Sequence, residues 1–313
     1  MADDLATERT RRFVGSRFHD SRRHSTGEWN REMQMKSAEQ VNGGRFAFGD
    51  NWLEYLNLVD EPRVAQAQES LTRALGVGDL SGRSFLDIGC GSGLFSLAAH
   101  RLGARVRSFD YDPQSVAATA ELRRRFAPDS DWQVEQGSIL DNAYISGLGP
   151  HDIVYSWGVL HHTGAMWQAI GATSALVAPG GLMFIAIYND QGLASRLWWR
   201  VKQRYVRSDP IGRRALVLAS GVYLDSRGVV ARAVKRVCGH PVPAARDRGM
   251  SARHDLVDWV GGFPFEVATP EQIFAFIRER DFELRFLKTC QGGFGCNEFV
   301  FVRSAAASGA PRA

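Results

Sequence analysis

The sequence predicts an α/β fold: a mostly parallel, seven-stranded sheet with helices on both faces, an antiparallel terminal hairpin and a helical lid insertion. Three observations carry this. From Ser84 onward, short apolar runs alternate with amphipathic stretches and turn residues, the rhythm of strands joined by crossover helices. A glycine-rich turn in FLDIGCGSGLF closes the first run and opens the first of those helices. Near the end, FELRFLKT and NEFVFVR are separated only by CQGGFGC, too short a link for a crossover helix, so this pair runs antiparallel.

Each element follows in turn. Residues 1–42 are polar and charged with few large apolar side chains and read as flexible. A cap over 43–82 combines the aromatics Phe46, Phe48, Trp52 and Tyr55 with a breaker-free stretch from Arg63 to Leu75. There Val64, Ala67, Leu71 and Leu75 fall at helical spacing, and Gly76 closes the stretch. The core over 83–190 runs SFLDIG (strand), LFSLAAHRLG (helix), RVRSFDY (strand), PQSVAATAELRRRF (helix), WQVEQGS and HDIVYSWG (strands), MWQAIGATSALVAPGG (helix and turn) and LMFIAIYN (strand). Residues 191–262 break the rhythm with basic helical stretches and the loop GHPVPAARDRG. The core is completed over 263–304, where Thr269, Pro270, Glu271 and Gln272 make a helix start. The tail 305–313 is small and reads as disordered.

Composition narrows the class of function. The 313 residues carry a net charge of +4, a mildly basic balance that by itself names no anionic partner. The four cysteines form no CxxC pair, and Cys290 and Cys296, separated by a Gly-rich turn, have no histidine beside them, which predicts reduced thiols and no metal site. The first residues lack an apolar signal region, and no apolar run reaches the ~18 residues of a spanning helix. A cytoplasmic enzyme, with peripheral membrane contact as an option, is the expectation.

The glycine turn points to a bound cofactor. Gly89, Gly91 and Gly93 clear side chains from the end of the first strand, and the following helix offers its N–H groups. A dinucleotide fingerprint would place glycine where Leu94 stands, which argues against a nicotinamide enzyme. The second strand ends in FDYD, where Asp110 stands at the distance in sequence at which a carboxylate grips both hydroxyls of a ribose. Asp112, before Pro113, suits a helix cap.

LDIGCGSG, the acidic FD, VLHH after the fourth strand and LVAPGG before the fifth together resemble the Rossmann-like class I methyltransferases. The similarity leans toward the ubiquinone-biosynthesis type of small-molecule O-methyltransferase. It covers 83–190 and, more loosely, 269–303. The resemblance implies S-adenosyl-L-methionine as cofactor, with Asp87 and the Gly89, Cys90, Gly91, Gly93 loop around its methionine part, Asp110 on its ribose and Tyr111 on its adenine. Where the family often has aspartate for the adenine amino group this chain has Ser138, with the Ile139 backbone beside it.

The acceptor end is read from SWGVLHHTG, at the sheet edge where ligands of such folds sit. It brings Ser156, Trp157, His161 and His162 to the reaction centre. A histidine there can deprotonate a phenol, catechol or ammonium group, and relatives with the LHH pattern imply His161, with His162 second. His254, in ARHDLVDWVGGFPFE, is a further candidate base, and Trp52, Tyr188 and Asn189 are candidate walls of the substrate site. SWGV stands in place of the Asn/Asp-Pro-Pro-aromatic motif of base methylation, which argues against nucleobase amines.

Within the insertion, arginines and lysines from 196 to 236 interleave with Trp198, Trp199, Tyr205 and Tyr223. A solvated lid is the plain reading; an anionic membrane surface through 196–236 is a candidate partner, and RNA a weaker one. The expected function is methylation of oxygen or nitrogen on a small organic acceptor. RNA or protein methylation, or a non-catalytic cofactor-binding subunit, are the alternatives.

Overall fold

The structure is a computed structural model that describes residues 46, 52, 55–237 and 252–305. Segment 1–42, the loop GHPVPAARDRG, Cys238, Asn51 and residues 306–313 lie outside the described residues.

Seven strands form one sheet in the order β3-β2-β1-β4-β5-β7-β6: β1 (Ser84–Ile88), β2 (Arg105–Asp110), β3 (Gln133–Gln136), β4 (His151–Trp157), β5 (Val177–Tyr188), β6 (Phe282–Lys288) and β7 (Cys296–Arg303). The first five pair in parallel, while β7 lies antiparallel to both β5 and β6. The chain winds outward from β1 through β2 to β3, then returns to β4 on the other side of β1. The carboxyl ends of β1 and β4 therefore flank the crevice where the winding reverses.

Both faces of the sheet are covered. Helices α1 (Glu61–Leu75), α2 (Leu94–Arg101) and α3 (Pro113–Phe126) pack on one side, through Val64, Leu71, Leu75, Leu97, Ala118 and Leu122. Helix α1 forms where the apolar spacing predicts it: Asp60 caps its start, and Gly76 ends it in the left-handed conformation at φ 66°. On the other side lie α4 (Asn142–Ser146), α5 (Met166–Ala175) and α9 (Pro270–Arg278), through Met166, Ile170, Ile273 and Ile277. Each fully buried aliphatic side chain contributes about 1.5–3 kcal/mol relative to exposure. Asp112 caps α3 by accepting the Gln114 N–H, and Thr269 with Gln272 forms a reciprocal capping box on α9.

Two elements differ from the sequence reading. Helix α4 was not foreseen, because five residues are too few to show a period; Asp141 holds it by accepting the N–H groups of Ala143 and Tyr144. Strand β5 begins at Val177, before the Pro179–Gly181 turn, so the turn is a bulge inside the strand: His151 pairs with Val177, but Ile153 pairs with Leu182. Gly181 permits this, since a Cβ there would lie 2.9 Å from the Asp152 carbonyl oxygen.

Between β5 and α9 come helices α6 (Leu193–Arg207), α7 (Pro210–Val237) and α8 (Ala252–Gly261). The face of α6 formed by Ser195, Trp198, Lys202 and Tyr205 is buried. It packs with Val260, Phe263, Phe265 and Val267 into a third apolar cluster, separate from the two that sandwich the sheet. No described helix is long and apolar enough to cross a membrane.

Candidate active site

The loop after β1 is shaped by three glycines at positive φ: Gly89 (75°), Gly91 (54°) and Gly93 (80°). Positive φ alone favours glycine, and the surroundings add a second reason. A Cβ on Gly89 would lie 2.4 Å from Val159, in the loop after β4, and one on Gly93 would lie 2.9 Å from Thr119 of α3. A Cβ on Gly91 would lie 3.1 Å from the indole of Trp52. The loop is thus gripped from the β4 edge, from α3 and from the N-terminal side, while its backbone stays stripped of side chains. Helix α2 starts directly behind it, with Gly93 as its first cap and no side chain closing its N-terminus.

Asp110 closes the next strand beside this loop. Its carboxylate accepts the Gly91 N–H at 3.0 Å and the Asp112 N–H at 2.9 Å. One oxygen is therefore tied to the glycine loop and the other to the turn into α3, which fixes the group in place. Burial raises its pKa to about 6, against the lowering by those N–H donors, so it is mostly ionised at neutral pH. An ionised, oriented carboxylate next to a glycine backbone is what a sugar diol requires. Tyr111, the next residue, is 58% exposed.

Other residues of the predicted cofactor set face inward. Asp87 is buried, with its carboxylate accepting from Ser96, whose hydroxyl in turn meets Ser108, the acceptor of the Trp132 indole N–H. Burial, and repulsion from Asp110, raise Asp87 to about 7. The Cys90 thiol is buried and pushed well upward by burial first, which makes it a poor nucleophile. Ser156 donates to the Ile88 carbonyl at 2.9 Å and ties β4 to β1. Ser138 accepts the Leu140 N–H at 3.2 Å, so its oxygen already serves a turn, and Ile139 is part of the core. Trp157 packs beside the α1–α3 layer.

The acceptor half gathers around Tyr188 at the end of β5. The rings of His161, His162, Trp259 and Phe265 surround it, with centroids 3.9, 5.3, 5.2 and 5.4 Å away. The two histidines differ in the partner of Nδ1. His162 Nδ1 lies 2.7 Å from the Pro264 carbonyl oxygen, and a carbonyl only accepts, so Nδ1 carries the proton and Nε2 is the basic nitrogen of the neutral ring. The His161 ring instead meets two backbone groups of β5, the Tyr188 N–H at 3.4 Å from Nδ1 and the Ala186 carbonyl. His161 is also completely buried, and burial first, then the charges of His162 and Lys202, hold its pKa well below the usual range.

Asn189 is not turned to this cluster, since its side-chain oxygen accepts from Asn297 at 3.0 Å. His254 falls in α8, but its side chain lies outside the described residues.

Two residues here were not singled out by the sequence reading. Lys202 is fully buried, donates to the Trp259 carbonyl, and holds Nζ over the rings of Trp259, Phe265 and Tyr188 at 4.7, 4.8 and 5.6 Å. Its place at helical spacing between Trp198 and Tyr205 was the available signal. Glu266 is buried with its carboxylate on the Met166 N–H, at the start of α5, and burial raises it to about 8. Nothing in its local sequence marks it.

Residues 59–214 match the family model described as a methyltransferase domain. The chain is 36% identical over 110 residues to the ubiquinone biosynthesis O-methyltransferase of Brucella melitensis, covering 35% of this chain and 43% of that one. It is 30% identical over 162 residues to the enzyme of the same name from Methylocella silvestris, covering 51% of this chain and 58% of that one. The matches thus span about half the length of these relatives. Among solved structures, PKMT2 from Rickettsia typhi, in complex with AdoHcy, shares the fold with a TM-score of 0.50 at 12% identity, over 76% of this chain and 52% of that one.

Proposed function

The chain belongs to the class I S-adenosylmethionine-dependent methyltransferases, and from that premise we propose that it methylates oxygen or nitrogen of a small organic acceptor. The observation that carries the cofactor part is Asp110, locked by the Gly91 and Asp112 N–H groups beside a loop whose three glycines carry no side chains of their own. The bound cofactor supplies an electrophilic methyl group on a sulfonium. Asp110 holds the ribose end, the loop from Gly89 to Gly93 lies along the methionine part, Tyr111 flanks the adenine, and Trp52 closes the N-terminal side.

The acceptor reaches the carboxyl edge of β4 and β5, between Tyr188 and the insertion, which acts as a lid. His162 takes the acceptor proton: its Nδ1–H is fixed on Pro264, so Nε2 is presented as a base. This moves the role from His161, which the resemblance implied, to its neighbour. His161 is a positioning group that packs on Tyr188. The names of the relatives support oxygen as the methylated atom.

The test is methyl transfer from radiolabelled S-adenosylmethionine to a panel of phenols, catechols and amines. Turnover on a phenol or catechol supports the reading. Cofactor binding with no transfer to any member of the panel argues for a non-catalytic subunit instead.

A second partner is favoured by the outer face of the insertion. Leu193, Leu197, Ile211, Leu218 and Val222 are exposed there beside the exposed Arg200, Arg204, Arg207, Arg213 and Arg214. This pairing of apolar and cationic groups suits an anionic membrane surface. Sedimentation with phosphatidylglycerol vesicles should carry the protein down, and Leu218→Glu should release it. Equal sedimentation with phosphatidylcholine alone would remove the electrostatic part of this reading.

A further inference from the structure

We propose that Trp132, Ser108 and Ser96 form a one-way hydrogen-bond relay that favours the ionised form of Asp87 beside the glycine loop. The charge so held, together with that of Asp110, strengthens the cradle's grip on the cationic groups of its cofactor. This rests on the S-adenosylmethionine reading of the cradle and adds positioning residues to it.

All four side chains are buried: Asp87 is 2% exposed, Ser96 and Ser108 are 0% exposed and Trp132 is 1% exposed. Asp87 and Ser108 are partners across β1 and β2, Ser96 stands in the first turn of α2, and Trp132 directly precedes β3. Phe85 and Val106, two positions earlier on the same strand faces, belong to the apolar layer under α1, α2 and α3, as does Trp132 itself. Hydroxyls are costly in such a place unless their donors and acceptors are used.

Counting protons sets the direction. The indole N–H of Trp132 only donates, and it meets Ser108 Oγ at 2.7 Å. Ser96 gives its one proton to Asp87, so the 2.7 Å contact between the two hydroxyls is a bond from Ser108 to Ser96. Each proton of the chain is then used, and the chain ends on a carboxylate that only accepts. A protonated Asp87 that donated to Ser96 would turn the hydroxyls round. Ser108 would then receive from both Trp132 and Ser96, and its own proton would be left without an acceptor among the described residues. A buried donor without a partner is costly, so the geometry itself favours the ionised form.

The balance at Asp87 is close enough for this to matter. Burial raises it to about 7, Ser96 lowers it, and the charge of Asp110 adds to the rise. Asp110 and Asp87 both stand near enough to the loop to push the Cys90 thiol up, after burial. Two negative charges at one loop suit a ligand with positive ones. S-adenosylmethionine carries an α-ammonium and a sulfonium, S-adenosylhomocysteine the α-ammonium alone. Three further ionisable groups adjoin the relay. Tyr155 is the partner of Asp87 on β4, and the His100 ring stacks on Trp132 with centroids 6.4 Å apart. Arg123 donates to the Trp132 carbonyl at 2.7 Å.

The test is calorimetric titration of both cofactor forms into full-length protein between about pH 5.5 and 8.5. Wild-type affinity should fall as pH drops through neutrality, and more steeply for S-adenosylmethionine, because it carries one more positive charge. Asp87→Asn should remove the step near neutrality and weaken S-adenosylmethionine at least about threefold more than S-adenosylhomocysteine. Ser108→Ala cuts the relay but keeps the bond from Ser96 to Asp87. Its midpoint should rise by about 0.5–1 pH unit, with affinity at the alkaline end within about twofold of wild type. Ser108→Thr returns the hydroxyl and should return the midpoint. Trp132→Phe removes only the far donor and should give a smaller shift in the same direction.

An unchanged midpoint in Ser108→Ala and Trp132→Phe would overturn the relay. So would a loss of affinity of one size at every pH, which is what a purely structural role gives. If Ser108→Ala does not fold, Trp132→Phe decides. The same pH profile for both cofactor forms would overturn the charge role of Asp87. A wild-type protein that takes up neither form refutes the cofactor reading, and the proposal with it.

Discussion

The two halves of the candidate site are built in opposite ways. At the β1–β2 edge the work is done by backbone: three glycines at positive φ, two N–H donors on Asp110 and an open helix start. Its residues lie within 24 positions of one another along the chain, from Asp87 to Asp110. At the β4–β5 edge the work is done by side chains from distant segments: His162 bonded to Pro264, Tyr188 packed on His161, and Lys202 reaching in from α6. A constant cofactor suits a rigid, local, backbone-built cradle. A family-variable acceptor suits an assembly whose parts can be exchanged by changing an insertion.

If the halves are separable, substitutions should split cofactor affinity from turnover. The largest split is expected at His162. His162→Ala should lower kcat by about 10²- to 10⁴-fold, as for other general bases, and leave the cofactor Kd within twofold. Loss of both together, measured by single-turnover assay and calorimetry, would show that the halves are one structural unit.

Gly89→Ala should act on the other half. The added Cβ would lie 2.4 Å from Val159 at a φ of 75°, and overpacking of this kind costs about 1–3 kcal/mol. A 10-fold or greater rise in cofactor Kd is expected, with a lower melting temperature. Val159→Ala in the same chain should restore part of it by removing the colliding methyls; no recovery would mean that positive φ alone sets the requirement.

Asp110→Asn comes next. It keeps the shape but exchanges a charged acceptor of the ribose diol for a neutral amide, and loss of a charge-assisted bond of this type costs about 1.5–3 kcal/mol. The cofactor Kd should rise by roughly 10- to 100-fold, while binding of an acceptor analogue changes little.

The smallest effect concerns stability against pH. Asp110, Asp87 and Glu266 have folded pKa values raised to about 6, 7 and 8. Each binds its proton more tightly in the folded chain than in the unfolded one. Their contribution is therefore present in full below about pH 4 and is lost as pH rises toward 8. Denaturant titrations should show stability declining between these limits, and Glu266→Gln should flatten the upper part, from about pH 5 to 8. A stability that climbs across this window in the wild type would contradict the assignment of buried carboxyls at all three positions.

Much of the first half was legible in the sequence because its signals are local. Gly89, Gly91 and Gly93 mark a backbone conformation, Asp110 follows at a set distance, and the caps Asp112 and Thr269 are read from one to three neighbouring residues. The sheet was legible from alternation, including its antiparallel end. The second half was not, for a physical reason. Which nitrogen of His162 carries the proton depends on Pro264, 102 positions away, and the surroundings of His161 are set by backbone groups of β5. Glu266 becomes a buried acid only because the chain returns to the start of α5. The Pro179–Gly181 bulge likewise needed the partner strand to be seen as part of β5. Lys202 lies between these cases: its spacing from Trp198 and Tyr205 put it on the buried stripe, but a lysine on such a stripe reads as a surface residue until its aromatic surroundings are known.

The central claim is that the glycine loop and Asp110 form the S-adenosylmethionine cradle, and calorimetric titration of S-adenosylhomocysteine into wild-type and Asp110→Asn protein tests it most directly. Saturable binding at one site per chain is expected in the wild type, weakened about tenfold or more by the substitution. No binding to the wild type, or the same affinity in both proteins, would contradict it.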